Sequence, residues 1–344
     1  MNKTTINSGL FFSQTRNYLD SYLVKQCGKS HHTVKSYKDA LTVFRRYVLE
    51  EKGYSIMKFS FGDCTRDLVL DFVAFLRDKG YAACSVNQRL SALRAYLWYA
   101  ADGDMLIQSI ALSVSRVPFL TEPILNKPII PDGALKAMLS APKDSKIGIR
   151  DRTMMVILYD SAIRMEELLG LTLADMNITS DNPYLRIHGK GDKERIVAIT
   201  EKTVSHVRLY MRYYHSHNIT TNRSELFFYT VINGKKKPMS PGNLERIIKK
   251  YADAVRSDFP EMPDRISPHT FRRTRATNLY QDGVDLELVS RILGHSSTET
   301  TKKHYATPSV EMLRKAMENT GDIPDEKPLW EGNEEELARF CGLR

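Results

Sequence analysis

A histidine and an arginine stand three residues apart at the start of a predicted helix, within the segment 267–274. Ser267 is a good N-cap residue and Pro268 suits the first helical position. His269 and Arg272 therefore share one face of that helix. An imidazole beside a guanidinium at a helix N-terminus suits a phosphate group, which arginine can hold through charge-assisted hydrogen bonds. A surface histidine next to a solvated arginine would give the same short pattern.

Other residues suited to phosphate chemistry lie on both sides of this pair. Upstream are Arg164, in Arg-Met-Glu-Glu-Leu, and Lys190, in Gly-Lys-Gly-Asp-Lys-Glu-Arg. Downstream are His295, in Leu-Gly-His, and Tyr305, ten residues later. Arginines can hold the non-bridging oxygens of a phosphodiester while a tyrosine attacks the phosphorus. A histidine could accept the tyrosine proton, and a lysine could protonate the leaving hydroxyl.

Each residue also has an ordinary explanation when it is taken alone. Arg164 would pass as a helix-surface arginine, and His295 as a histidine at a helix end. Lys193 competes with Lys190 for the role of the acid, since both belong to the same charged turn. Tyr305 is one of 17 tyrosines and is singled out by its place after His295, with His304 beside it.

The elements that must position these residues follow from periodicity. Residues 184–188 and 195–199 alternate in hydropathy around a glycine-rich turn, which predicts a β-hairpin that carries Lys190. The rest of the chain has mostly helical spacing. We expect a helical domain over 10–115, a proline-rich linker over 116–131, a mixed α/β domain over 132–320 and a tail over 321–344. The fold class is thus mainly α with a small β-hairpin or sheet.

Composition limits the possible functions. The 344 residues include 50 Lys and Arg against 41 Asp and Glu, a net charge of +9. The acidic excess is confined to the tail, so two basic bodies remain and a polyanion such as nucleic acid is the simplest partner. The chain has neither a long apolar run nor an apolar signal segment, and its four scattered cysteines match no disulfide framework or metal site. We therefore expect a cytoplasmic protein that makes no use of a membrane.

The order Arg, Lys, His-x-x-Arg, His and Tyr behind a basic helical domain resembles the tyrosine recombinase (phage integrase) family of site-specific DNA recombinases. This resemblance implies a catalytic set and a supporting role for Glu167. The implied catalytic residues are Arg164, Lys190, His269, Arg272, His295 and Tyr305. It also implies a 3′-phosphotyrosine intermediate formed without metal, ATP or any other cofactor. The sequence departs from the family where Ser161-Ala162 replaces the usual Thr-Gly, because alanine does not freely adopt a positive φ.

The resemblance further implies double-stranded DNA at specific sites as the partner, and a homotetramer on two such sites. Candidate DNA contacts are Lys25, Lys29, Lys35, Arg45, Arg46, Arg89, Arg94 and Lys193. The helix over 85–99 has a polar face that could enter a major groove. The tail is expected either to dock on a neighbouring subunit, as in relatives, or to fold back on its own domain.

Several alternative functions remain open at this point. A type IB topoisomerase or a hairpin-forming resolvase would share the chemistry, and a non-catalytic DNA-binding protein could keep the fold. A metal-dependent nuclease would need clustered acidic ligands, which the sequence does not suggest. The leading interpretation is an integrase-like recombinase of a mobile element.

Overall fold

The computed structural model describes residues 9–122, 127–189, 194–215, 223–295, 297–305, 312, 314 and 334–343; of residues 300 and 303–305 it describes the backbone. The chain divides into two compact units, Met1–Ile124 and Leu125–Arg344. Both units are mainly helical and the described sheets are small and antiparallel. The fold class predicted from the sequence is confirmed.

The N-terminal unit begins with an irregular helical segment and continues as regular α-helices. The irregular segment comprises a 3-10 turn (Phe11–Gln14), α1 (Thr15–Asn17) and a π-helix (Tyr18–Gln26). The regular helices are α2 (His31–Glu50), α3 (Arg66–Asp78), α4 (Ala83–Ala100) and α5 (Met105–Ser115). Ser30, Thr65 and Asp104 start three of them by accepting N–H groups of the first turn. The core is rich in aromatic side chains, among them Phe11, Phe44 and Tyr96.

The chain that leaves α5 is fastened to the side of α4. The Asn87 amide donates to the Leu120 carbonyl (2.9 Å) and its oxygen accepts from the Leu120 N–H (2.8 Å). Arg94 donates to the Val117 carbonyl, and its guanidinium lies 4.4 Å from the centre of the Phe119 ring. Part of the polar α4 face that the sequence suggested for a major groove is therefore used inside the unit.

The C-terminal unit packs its helices around one buried helix. The helices are α6 (Asp132–Ser140), α7 (Lys146–Ser161), α8 (Met165–Gly170), α9 (Glu201–Tyr214), α10 (Pro241–Val255), α11 (Pro268–Gln281), α12 (Leu286–Leu293), α13 (Thr298–Tyr305) and α14 (Glu334–Phe340). Helix α7 is buried on almost every side, and α9 and α11 pack against it. This packing positions the turns that follow α7 and α11.

The predicted hairpin is present and forms two strands of a three-stranded sheet. Its strands are β1 (Met176–Asn177), β2 (Tyr184–His188) and β3 (Glu194–Ala198), in the order β1-β2-β3. A second hairpin, β4 (Tyr229–Ile232) and β5 (Lys235–Pro238), turns at Asn233 and Gly234, which both have positive φ. The sequence analysis missed this hairpin because β5 is exposed throughout and has no apolar alternation.

Candidate active site

The His-x-x-Arg pair lies at the start of α11, as predicted, but its two side chains differ in exposure. The Ser267 N–H donates to Thr270 Oγ1 (3.1 Å), and Pro268 is the first helical residue. His269 is exposed to solvent. Arg272, one turn further, is only 2% exposed. The arginine of the pair is therefore part of the interior of the C-terminal unit.

Arg272 makes three contacts to two separate segments through its guanidinium. Its Nη1 donates to the Ala162 carbonyl (2.7 Å), and its Nη2 donates to the Leu293 carbonyl (2.6 Å). The same Nη2 lies 3.1 Å from His295 Nε2. A buried charge is tolerated only when hydrogen bonds replace its hydration. These contacts therefore fix Arg272, the turn after α7 and the end of α12 relative to one another.

Ala162 occupies the turn between α7 and α8 in a left-handed conformation (φ 50°, ψ 27°). Its methyl group is fully buried and belongs to a small cluster with Ala276, Val289 and Leu293. The left-handed region costs a residue with a Cβ roughly 1–2 kcal/mol. The conformation that glycine would adopt easily is thus kept here by alanine, and it places the Ala162 carbonyl on Arg272.

The end of α12 collects donors from three arginines. We call the segment 292–295 the α12 turn. Arg195 Nε donates to the Ile292 carbonyl (3.3 Å), Arg272 to the Leu293 carbonyl (2.6 Å), and Arg164 Nη2 to the Gly294 carbonyl (3.3 Å). The last carbonyls of a helix lack intrahelical donors and carry the negative end of its dipole. The helix end therefore assembles three positive side chains at one place.

Glu167 joins two of these arginines from the other side. Its carboxylate accepts two bonds from Arg195 (2.9 and 2.8 Å), one from Arg164 Nη1 (2.9 Å) and one from the Arg164 N–H (2.8 Å). Burial by itself would raise the pKa of Glu167, but the hydrogen bonds from Arg195 and Arg164 lower that pKa to about 2. Glu167 thus stays ionised and holds Arg164, whose side chain remains 45% exposed, in one place.

His295 links the α12 turn to the helix that ends in Tyr305. Its Nδ1 lies 2.8 Å from Oγ1 of Thr301, which is fully buried. Because the guanidinium of Arg272 can only donate, His295 Nε2 accepts and Nδ1 carries the proton that Thr301 receives. Thr301 precedes Tyr305 by four residues in α13, so one helical turn separates the His295 partner from the proposed nucleophile.

Three predicted residues are described in part or not at all. Lys190 and Lys193 lie outside the described residues, which end at 189 after β2 and resume at 194 with β3. Tyr305 is placed by its backbone as the last residue of α13, and its side chain lies outside the described part. The structure thus brings Arg164, Arg272 and His295 together around the α12 turn, with His269 on the exposed side of the Arg272 helix.

Family models match both units of the chain. The model of the phage integrase family matches residues 130–312. The model of the phage integrase N-terminal SAM-like domain matches residues 17–103. The chain belongs to the phage integrase family. It is a tyrosine recombinase, which confirms the family expected from the order of its Arg, Lys, His and Tyr residues.

Individual relatives of this tyrosine recombinase are distant but extend over most of its length. The tyrosine recombinase XerD of Pseudomonas putida is 31% identical over 302 residues, which cover 86% of this chain and 94% of the relative. The Tn1549 transposon integrase, solved with a circular intermediate DNA, has a TM-score of 0.66 at 16% identity and covers 92% of this chain and 100% of its own. A lambda integrase tetramer bound to a Holliday junction has a TM-score of 0.61 at 15% identity, with coverages of 86% and 78%. At such identities the solved structures establish a shared fold.

The basic residues of the recombinase's N-terminal unit form two groups. One group is exposed to solvent: Lys25, Lys29, Lys35, Arg45 and Arg46. The other group is half-buried and has structural contacts. Arg89 donates to the Ser85 carbonyl (2.8 Å) and lies 4.4 Å from the Tyr81 ring centre, and Arg94 holds the chain after α5. Arg89 and Arg94 are therefore better explained as scaffold residues than as DNA contacts.

Sequence reasoning did not single out two residues that complete the recombinase site. Arg195 ends the Gly-Lys-Gly-Asp-Lys-Glu-Arg run, and this position was the one signal that could have drawn attention to it. Thr301 offered no such signal, because its neighbour Thr300 has the same chemistry and only the geometry selects one of them.

Other kinds of site are scarce among the residues that the structure describes. Within the described ranges, no group of three or more His, Cys, Asp or Glu side chains is arranged to hold a metal ion. Among the helices that the structure describes, none is both long and apolar enough to cross a membrane. Cys64 is buried, and Cys27, Cys84 and Cys341 are exposed free thiols.

Proposed function

We propose that this recombinase cleaves and rejoins specific DNA sites through a 3′-phosphotyrosine at Tyr305, as the integrase of a mobile element. The observation that carries the proposal is the α12 turn. Arg164 and Arg272 donate to it, His295 belongs to it, and Thr301 joins it to the helix that ends in Tyr305. Types and order of residues suggested this set, and the described contacts support it.

Each residue has a definite role in the proposed reaction. Tyr305 Oη attacks the phosphorus, and the bond from phosphorus to the 5′ oxygen breaks. His269 accepts the tyrosine proton, and Lys190 protonates the departing 5′ oxygen. Arg164 and Arg272 stabilise the charge that develops on the non-bridging oxygens, and His295 holds the Arg272 guanidinium through Nε2. Strand exchange is the reverse reaction, with the 5′ hydroxyl of a partner strand as the attacking group.

The proposed reaction consumes neither ATP nor a metal ion. The energy of the broken phosphodiester is kept in the tyrosyl ester, so religation needs no external source of energy. The two arginines provide the positive charge that a divalent cation would otherwise supply. We expect cleavage to proceed unchanged in EDTA.

The proposed partner is double-stranded DNA, with residues 10–115 as a core-binding domain, 116–131 as a linker and 132–320 as the catalytic domain. The solved complexes of the Tn1549 and lambda integrases with DNA support this, and the lambda tetramer supports a homotetramer on two sites. The exposed basic residues of α2 and the preceding segment are the proposed phosphate contacts. The protein is proposed to act in the cytoplasm.

A second candidate role differs in the DNA site. The relative in Pseudomonas putida is named XerD rather than integrase and matches 86% of this chain, which favours a recombinase of that type. Sequencing the genomic DNA that is covalently bound to the protein separates the two. Adducts at sites flanking the recombinase's own gene support the mobile-element role, whereas adducts at a site remote from that gene support the Xer-like role.

Covalent trapping tests the chemistry itself. The protein is incubated in EDTA with candidate site DNA that carries a nick near the cleavage position, and adducts that survive denaturation are counted. We expect an adduct for the native protein and for Tyr213→Phe, an exposed tyrosine of α9 that serves as the control. Tyr305→Phe should form none. An adduct with Tyr305→Phe would assign the nucleophile to another residue.

A further inference from the structure

Arg195 joins three parts of the site. It lies in β3, the strand that returns from the turn containing Lys190. It makes a bidentate pair with Glu167 of α8 and donates to the Ile292 carbonyl of the α12 turn. Its side chain is only 15% exposed. The hairpin, the Arg164 helix and the His295 turn therefore meet at one guanidinium.

The surroundings of Arg195 are shaped for a planar fork. Gly294 has a φ of 62°, and a Cβ at this position would lie 2.9 Å from three atoms of the Arg195 side chain. The Arg195 side chain thus occupies the space that a Cβ at position 294 would need. Lysine could neither bind both Glu167 oxygens in parallel nor fill this slot in the same way, because its ammonium is a compact point charge.

We propose that Arg195 is a positioning residue for DNA cleavage, one that holds Arg164 in its phosphate-binding place through the shared Glu167 carboxylate and ties the Lys190 hairpin to the α12 turn. This inference rests on the function proposed above. Arg164 is the more exposed of the two arginines, and Glu167 contacts both its guanidinium and its N–H. Without Arg195, the carboxylate loses two of its four bonds.

The expected signature is a change in pH dependence. The charged side chains facing Glu167 are Arg164 from its own turn and Arg195 from β3; the α12 turn adds backbone carbonyls, and its His295 binds Arg272 instead. Removing the Arg195 fork raises the pKa of the buried Glu167 from about 2. As the pH falls through the new value, Glu167 is protonated and Arg164 is released. The rate should therefore fall on the acid side.

The test measures single-turnover adduct formation on nicked site DNA between pH 5 and pH 8. For Arg195→Lys we expect a rate roughly ten- to a hundredfold lower at pH 7, with an additional loss toward pH 5 that the native protein lacks. Arg150→Lys is the matched control. Arg150 is 18% exposed and its guanidinium lies 2.8 Å from the carboxylate of buried Asp151. This ion pair is at the other end of α7 from the site. The Arg150→Lys variant should keep the native rate and pH profile.

A second variant keeps the inference falsifiable if Arg195→Lys folds poorly. Glu167→Gln should also slow cleavage but should lack the acid-side loss, since the titrating carboxylate is gone. The double variant should be no slower than Arg195→Lys alone. If native protein forms the adduct and Arg195→Lys matches Arg150→Lys in rate and pH profile, Arg195 has no positioning role. If the native protein forms no adduct, the proposed function itself fails.

Discussion

At the scale of single residues, the hydrogen bond between His295 and Thr301 makes the strongest prediction. Thr301→Val keeps the shape but leaves His295 Nδ1 without its acceptor, so the imidazole can rotate or change tautomer. We expect adduct formation to slow by roughly tenfold and Thr301→Ser to restore most of the rate.

Thr153→Val is the control for this prediction. Thr153 is also fully buried, and its Oγ1 donates to the Ile149 carbonyl (2.7 Å) within α7. This variant should lose about 1 kcal/mol of stability in urea unfolding and keep the cleavage rate. Equal rates for both valine variants would show that Thr301 only fills space.

Residue types and order were enough to select Arg164, Arg272 and His295, which the structure brings together around the α12 turn. Their roles in phosphodiester chemistry stay predictions. The same reasoning could not predict that Arg272 is buried or that Arg195 shares Glu167 with Arg164. Those facts depend on which elements pack together over long sequence separations, and neither periodicity nor a short motif contains that information.

At the scale of elements, the left-handed strain of Ala162 in the turn between α7 and α8 is offset by the burial of its methyl group. Ala162→Gly relieves left-handed strain and so stabilises the fold by roughly 1–2 kcal/mol. It also removes a buried methyl group, which costs about 0.8 kcal/mol. The greater chain entropy of glycine in the unfolded state costs a further ~0.4–1 kcal/mol. We therefore expect almost no change in the urea midpoint. Ala162→Val should be strongly destabilising, because a branched side chain tolerates the left-handed region poorly.

The matched control for the turn is Ala276→Gly. Its methyl group belongs to the same buried cluster as that of Ala162, but Ala276 lies inside the regular helix α11. Glycine there should cost at least about 1 kcal/mol from helix propensity. A loss for Ala162→Gly as large as that for Ala276→Gly would mean that the turn stores no strain.

Element types were predictable wherever apolar spacing was regular, as in α2, α10 and the β2–β3 hairpin. The strands β4 and β5 were missed although Asn233-Gly234 is a typical hairpin turn, because the exposed lysines of β5 leave no alternating pattern. Helix α13 was also missed, because its polar sequence has no apolar spacing that would predict a helix. It packs on α11 and α12, and the sequence pattern does not contain that information.

At the scale of the whole molecule, the distribution of charged and exposed apolar residues bears on how subunits assemble. The N-terminal unit has exposed basic residues, whereas the C-terminal segment is acidic. This segment includes the short helix α14. Leu337, Phe340 and Leu343 are 38%, 71% and 78% exposed on this segment. Apolar side chains that remain this exposed are typical of a surface that a partner covers. We therefore propose that the tail docks on a neighbouring subunit of the proposed DNA-bound tetramer.

Removing this tail should separate binding from assembly. Deleting residues 324–344 or changing both Leu337 and Phe340 to Ser should leave the affinity for a single DNA site unchanged, because the proposed phosphate contacts lie outside the tail. Pairing of two sites, measured by native gel shift and light scattering, should be lost together with recombination. Glu336→Ser, an exposed polar position of the same helix, should behave like the native protein. If the double serine variant still pairs two sites as well as Glu336→Ser does, the tail makes no contact between subunits, and the exposed apolar residues of α14 require another explanation.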